Sequence, residues 1–249
     1  MAPSGDVARQ RPAQTAGMHN TLPPTHARPG PVPGSATGAH GAPAPLPIPW
    51  QPKPLSSARS GLRVLPDGRL HCWIEHATVR GVTPEMLCWW FQHLEGEITH
   101  HGVRTQRYRV WHPLDHVQVH YHARCRDGSI GPGAVLHLTE MLGADPASTV
   151  DVRSRIVRLD AGGFGHRPRV HGLPLAAMDY TFEAVPGGTR YVNSLTVGLP
   201  SAWARPLNAL IRRFVFNRAR GEAWLRHNVE EVGQFEHFLP QLYADEAGR

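Results

Sequence analysis

The feature that most constrains this chain is a single change of hydrophobic period at Ser201. Before it, apolar residues alternate loosely in short segments; after it, they recur at helical spacing. Trp203, Leu207, Leu210, Ile211, Phe214 and Val215 follow that spacing, as do Trp224, Leu225, Val229, Val232 and Phe235. A long C-terminal helix is therefore predicted, broken near Gly221. Upstream, residues 70–79, 108–111, 117–123, 134–141, 150–159, 176–185 and 189–198 read as strands. Pro186-Gly187-Gly188 joins the last two as a hairpin turn that needs positive φ. One helix interrupts the series early. Thr83 offers an N-cap, Pro84 suits the first helical position, and Met86 to Phe91 is strongly apolar, with an end near Gly96.

Strand, helix, a run of antiparallel strands and a long terminal helix is an α+β order. It fits the helix-grip fold of START-like proteins, in which a curved sheet wraps the last helix around a cavity. Residues 1–60 stand apart. They hold thirteen of the 24 prolines and almost no aliphatic run, too little apolar surface to offset the entropy of ordering a backbone. The chain thus divides into a disordered tail, 1–60, and a helix-grip domain, 61–245.

Charge follows the same division. Residues 1–60 carry Arg9, Arg11, Arg28, Lys53 and Arg59 against Asp6, so the tail supplies +4 of the net +6. The remaining +2 is scattered, without the basic stripe interleaved with aromatics that a nucleic-acid platform needs. Cys72, Cys88 and Cys125 form no CxxC pair and suit a reducing cytoplasm. No apolar run approaches membrane-spanning length, and the N-terminus lacks the apolar core of a secretory signal. These features point to a cytoplasmic protein with neither a nucleic-acid nor a membrane partner.

Fourteen of the 17 histidines follow residue 60, and position matters more than number. His227 and Glu231 stand four apart on the terminal helix, one turn along one face, as a pair able to hold a divalent ion or as an ordinary helix pair. Alternation along the strand after Pro113 sets His116, Gln118, His120 and His122 on one face, with Val117, Val119 and Tyr121 on the other. That histidine face is either a metal site or an amphipathic strand facing water. Glu140 shares a face with Leu136 and Leu138; a carboxylate on an apolar side needs a cation or metal, unless a bulge turns it outward. His171 lies in the Gly/Pro-rich Arg169-Val170-His171-Gly172-Leu173-Pro174 linker. There is no GxSxG elbow, P-loop, HExxH or dinucleotide fingerprint.

Three stretches, Gly81 to His93, Tyr108 to His116, and Trp224 to Gly233 continuing through Phe238-Leu239-Pro240, resemble the 2,4-diacetylphloroglucinol hydrolase family, which includes phloretin hydrolase. The resemblance spans roughly residues 70–240. It implies a START-like fold and one zinc ion held by two histidines and two glutamates, by motif position His116, Glu140, His227 and Glu231. His116 is favoured over His112 by its distance from Tyr108. The resemblance also implies that Tyr108 touches a phenolic oxygen of the substrate and that His171 assists catalysis, with Tyr180 and Tyr191 both candidates for a further pocket tyrosine. Manganese or iron are also compatible with carboxylate ligands.

The implied reaction is hydrolysis of the C–C bond between an acyl group and a phenolic ring. The ring carbon can leave because flanking phenols let the ring tautomerise, making the leaving group an enolate. The partner is then a small phenolic ketone; a homodimer is left open. A non-catalytic START-like protein or polyketide cyclase with an aromatic ligand and no metal is the alternative. An interaction protein acting through its Pro-rich tail is a third reading.

Overall fold

The computed structural model describes residues 44–47, 51–170 and 172–248. Most of the tail assigned to residues 1–60 lies outside them. Within the described part, Leu55–Ser57 forms a 3-10 turn, and a first strand, β1 (Arg59–Val64), starts just before the boundary placed at Gly61. There follow β2 (Leu70–Glu75), β3 (Val79–Arg80), α1 (Pro84–Gln92), β4 (Glu97–His100), β5 (Val103–Gln106) and α2 (Arg107–Trp111). Then come β6 (His116–Ala123), β7 (Val135–Met141), β8 (Thr149–Asp160), β9 (Gly163–Arg169), β10 (Ala176–Val185) and β11 (Gly188–Val197). Two helices, α3 (Arg205–Phe214) and α4 (Arg218–Glu246), close the chain.

One antiparallel sheet runs in the order β1-β2-β11-β10-β9-β8-β7-β6, with β3 also paired to β11, and β4 and β5 form a separate hairpin. The sheet wraps α4, which packs against α1, α2 and β1 to β3. This is the α+β, helix-grip arrangement expected from the element order.

Local chemistry explains most of the elements. The Thr83 hydroxyl accepts from the Met86 N–H at the start of α1, filling one of the N–H groups a helix end leaves open. Gly187 turns the β10–β11 hairpin at φ +82°. Any side chain on Gly188 would meet the Val79 carbonyl oxygen 2.1 Å from its Cβ, so this glycine is what lets β3 approach. Trp90, Phe91, Trp111, Phe235 and Phe238 knit α1, α2 and α4 through edge and stacked ring contacts with centroids 5.0–6.0 Å apart. Each such ring contributes mainly by buried area, with roughly 1 kcal/mol more from ring geometry.

Four expectations need correction. Residues 108–111 form the short helix α2 rather than a strand, because Arg107, Tyr108, Val110 and Trp111 are all buried, at the i, i+1, i+3, i+4 spacing of a helix. The strand read over 70–79 is two strands, β2 and β3, separated where His76 turns its N–H to the Tyr191 carbonyl. The helix break falls at Val215–Asn217, where Val215 and Phe216 both donate to the Ile211 carbonyl and the Asn217 side chain caps α4. Gly221 is instead a packing residue: a Cβ there would lie 2.4 Å from Leu62 Cδ1. The hairpin β4–β5 and strand β9 were not anticipated; both are rich in Gly, charged and His residues that carry weak strand propensity.

Candidate metal centre

The middle of α4 is largely buried, and its buried set includes His227, Asn228, Glu231 and Gln234 among the apolar residues. Polar groups so placed need partners. Asn228 finds one in Asn193, whose side-chain N–H donates to it at 2.6 Å. His227 and Glu231 face a cavity of about 430 Å³ between α4 and the sheet.

β6 and β7 bring the other two groups. His116 pairs directly with Glu140, but Gln118 pairs with Thr139, so Val117 is an extra residue, a bulge. A bulge re-aims the side chains on one side of it. Here it puts His116, Val119 and Tyr121 on the inner side, His116 fully buried, and leaves His120 and His122 exposed. The single histidine face read by simple alternation is therefore split. His120 packs against His137 outside, with ring centroids 4.8 Å apart, and His137 pairs with Asp151 at 2.5 Å. Leu136, Leu138 and Glu140 all line the cavity.

Four residues thus converge at the cavity floor. His116 Nε2 lies 3.6 Å from Glu140 Oε1 and 3.3 Å from Glu231 Oε2. His227 Nε2 lies 3.7 Å from Glu140 Oε2 and 3.6 Å from Glu231 Oε2. The far nitrogens are already engaged. His116 Nδ1 donates to the Tyr108 carbonyl at 2.8 Å, and His227 Nδ1 to Asp115 Oδ2 at 2.8 Å. With both rings neutral, as metal ligation requires, each turns a lone pair toward two carboxylates, and His116 Nε2 makes no hydrogen bond. Four electron-pair donors pointing at one another repel unless a cation lies between them. Zinc bonds of 2.0–2.2 Å in a tetrahedron separate neighbouring donor atoms by about 3.3–3.6 Å; the four histidine–carboxylate spacings lie close to this, and one donor atom each from His116, Glu140 and His227 lie within 4.8 Å of one another. The residues present therefore fit a divalent metal.

The electrostatics express the same demand. Burial pulls the His227 pKa down, yet the Asp115 hydrogen bond and the charges of Glu231, Glu140 and Asp115 outweigh it and push it up to about 9. Burial, then the charges of His227 and His112, hold His116 well below its ordinary value. Burial raises Glu231 well above the usual carboxylate range; His227 opposes this, while Glu140 and Asp115 add to it. In the absence of a cation, protons collect on this cluster to offset its negative charge.

Sequence reasoning overlooked Asp115. Its carboxylate accepts from the Gly143 and Ala144 N–H groups at 2.9 and 2.8 Å as well as from His227. That fixes the His227 ring and tautomer, the arrangement by which carboxylates support metal-bound histidines. His112 forms a second buried group with Asp115 and His227. However, its Nδ1 accepts the Asp115 N–H, its Nε2 lies 3.2 Å from Glu230, and its ring stacks on His227. His112 thus packs behind His227 while His116 faces the cavity floor.

Tyr108 stacks on His116 with ring centroids 3.8 Å apart, and its hydroxyl donates to Glu140 Oε1. Burial, reinforced by the Glu140 charge, holds the phenol protonated. Tyr180 lines the cavity, whereas Tyr191 packs edge-on behind it. His171 lies outside the described residues. A different histidine, His166 on β9, is fully buried in the cavity wall between Ser154 Oγ (2.5 Å from Nδ1) and the Tyr180 hydroxyl (3.5 Å from Nε2). Burial, then the Arg167 charge, lowers its pKa to about 3, so the ring is neutral. The signal existed in the sequence: Phe164, His166 and Pro168 alternate along β9, and all three line the cavity.

Residues 50–150 match the family model of the DAPG hydrolase PhiG domain. The family named by resemblance is thus the one that matches, and the matched stretch contains Tyr108, Asp115, His116 and Glu140 but stops before α4. No curated protein matches the chain. Among solved structures, a START superfamily protein from Mycobacterium smegmatis is similar at 12% identity and TM-score 0.36, over 65% of this chain and 98% of its own. Protein Ms6760 from Mycobacterium smegmatis is similar at 15% identity and TM-score 0.41, over 71% and 94%. Protein NE0264 from Nitrosomonas europaea is similar at 11% identity and TM-score 0.39, over 69% and 95%.

Proposed function

We propose that this chain is a zinc-dependent hydrolase that cleaves the C–C bond between an acyl group and the ring of an acylphloroglucinol-like phenol. The observation that carries the reading is the convergence of the buried His116 with Glu140, His227 and Glu231, three residues that line a largely apolar cavity. Those four residues would hold the metal, and Asp115 would orient His227. When bound, zinc supplies a Lewis acid for the acyl carbonyl and a water acidified to about pKa 7.

The protein's own groups account for the rest. Phe91, Phe164, Leu136, Leu138 and Met178 line the cavity and favour a flat ring in place of water. Tyr108, kept protonated, fixes Glu140 and presents its phenol beside the cavity floor, where a substrate hydroxyl would lie. The neutral pair His166 and Tyr180 stands on the sheet side, able to hold a proton at Nε2 or at the phenolic oxygen for delivery to the ring carbon. The balance is simple. Water gives its hydroxyl to the acyl carbon and a proton to the ring carbon as the bond between them breaks. His171, the histidine implied by the resemblance, remains assigned to catalysis on that ground alone.

Metal content by plasma mass spectrometry, wild type beside His227→Ala and Glu231→Gln, tests the reading. About one zinc per chain, reduced in both variants and accompanied by lost hydrolysis of acylphloroglucinols, is the expected result. No metal in wild type purified without chelator overturns it, and circular dichroism of both variants separates loss of ligand from loss of fold.

A further inference from the structure

α3 turns its apolar stripe away from the protein. Its buried residues are Asn208 and Ile211. The Asn208 side chain accepts from the Leu199 N–H and donates to the Leu199 and Asp67 carbonyls, so a polar residue fastens the helix down. On the outer side, Trp203, in the 3-10 turn Ala202–Ala204 that leads into α3, and Leu207, Leu210 and Phe214 of α3 are 77%, 43%, 53% and 72% exposed. They follow i, i+4, i+7, i+11 spacing, a continuous stripe rather than scattered surface residues. Half of the large hydrophobics exposed among the described residues lie in this one short stretch.

The charge of the segment says what could cover it. Between Leu199 and Gly221 there are five arginines and not one Asp or Glu. Arg205 and Arg213 are exposed, and the Arg213 guanidinium sits 5.4 Å from the centre of the Phe214 ring. A second copy of the chain docked through this face would bring like charges together. The N-terminal segment 1–43 is also basic, with Arg9, Arg11 and Arg28 against Asp6. Arg218 pairs with Glu222, and Arg212 and Arg220 donate to backbone carbonyls, but apolar side chains flanked by the exposed Arg205 and Arg213 suit the interface of an anionic bilayer, where the stripe enters the headgroup boundary and the guanidinium groups meet phosphate.

We propose that α3 seats the protein on an anionic lipid surface. No helix among the described residues is long and apolar enough to cross a membrane, so this is a surface contact. It has a consequence for the cavity. Phe214, at the end of the stripe, also lines the cavity together with Val215 and Phe216. Docking would thus set one wall of the cavity against lipid, and an apolar ligand dissolved there could enter without crossing water. The lipid contact stands whether or not the cavity performs hydrolysis.

Flotation of the full-length protein with two vesicle types tests it: phosphatidylcholine alone, and phosphatidylcholine with about one third phosphatidylglycerol. Partition into the anionic vesicles should exceed that into the neutral ones by about tenfold or more, and should weaken as salt rises. Trp203→Ser with Leu210→Ser, and separately Arg205→Glu with Arg213→Glu, should each reduce partition about tenfold or more, with circular dichroism unchanged. Absence from both vesicle types, or equal partition into both, overturns the proposal. So does a dimer seen by sedimentation that the Trp203→Ser, Leu210→Ser variant dissolves while vesicles bind nothing; that result assigns the face to a second copy.

Discussion

Two histidine clusters lie on the same pair of strands and face opposite ways. At one end of β6 and β7, His116 pairs with Glu140 and is shut inside, facing Glu231; further along, His120 pairs with His137 and looks into water. Residue type does not distinguish them. One extra residue, Val117, and the α4 side chains beyond it do. On the inner side, burial removes water as a partner, so lone pairs and carboxylates are left facing each other. On the outer side, His137 pairs with Asp151 and His120 stands open to solvent. A histidine becomes a candidate metal ligand here through what it is denied.

The largest effects are expected at the inner cluster. His116→Ala or Glu231→Gln should abolish zinc retention and lower hydrolysis by on the order of a thousandfold or more, measured by metal analysis and turnover on the same samples. Retained metal in either would dissolve the inner cluster as a site.

Acid tests the interior more broadly. His166 and His76 are held neutral, at about 3 and about 4, chiefly by burial. Between those values and 6.5 the unfolded chain binds protons that the folded chain refuses, so stability falls as pH drops through that window. Each site contributes a loss of roughly 3 kcal/mol or more by pH 4. Urea unfolding at pH 7 and pH 4.5 checks this, and an unchanged midpoint would contradict the buried, neutral assignment.

A smaller effect sharpens the role of Asp115. Asp115→Asn should weaken zinc binding about 10- to 100-fold, as loss of a carboxylate behind a ligating histidine does, read by competition with a chelator. The smallest effect belongs outside: His120→Ala and His137→Asn should leave zinc content intact and shift stability by no more than about 0.5 kcal/mol. Loss of metal in either outer variant would erase the distinction between the clusters.

Much of this molecule is legible without coordinates. The α1 cap at Thr83, the glycine turn at Gly187, the strands from β6 onward apart from β9, and the helical pairing of His227 with Glu231 all follow from local rules of period and propensity. Those rules act over a few residues, and the chain obeys them there. They fail where a distant contact decides. Tyr108 to Trp111 became helix because burial required it, and β9 pairs despite its glycines because β8 and β10 flank it. The placement of His116 beside Glu140 rests on a bulge, and the service of Asp115 to His227 joins residues more than one hundred positions apart. Local periodicity is enough to yield the α+β element order and the single helix that carries half of the cluster. Which histidines are shut away from water is set by packing, because desolvation belongs to the folded whole and not to any local stretch of chain.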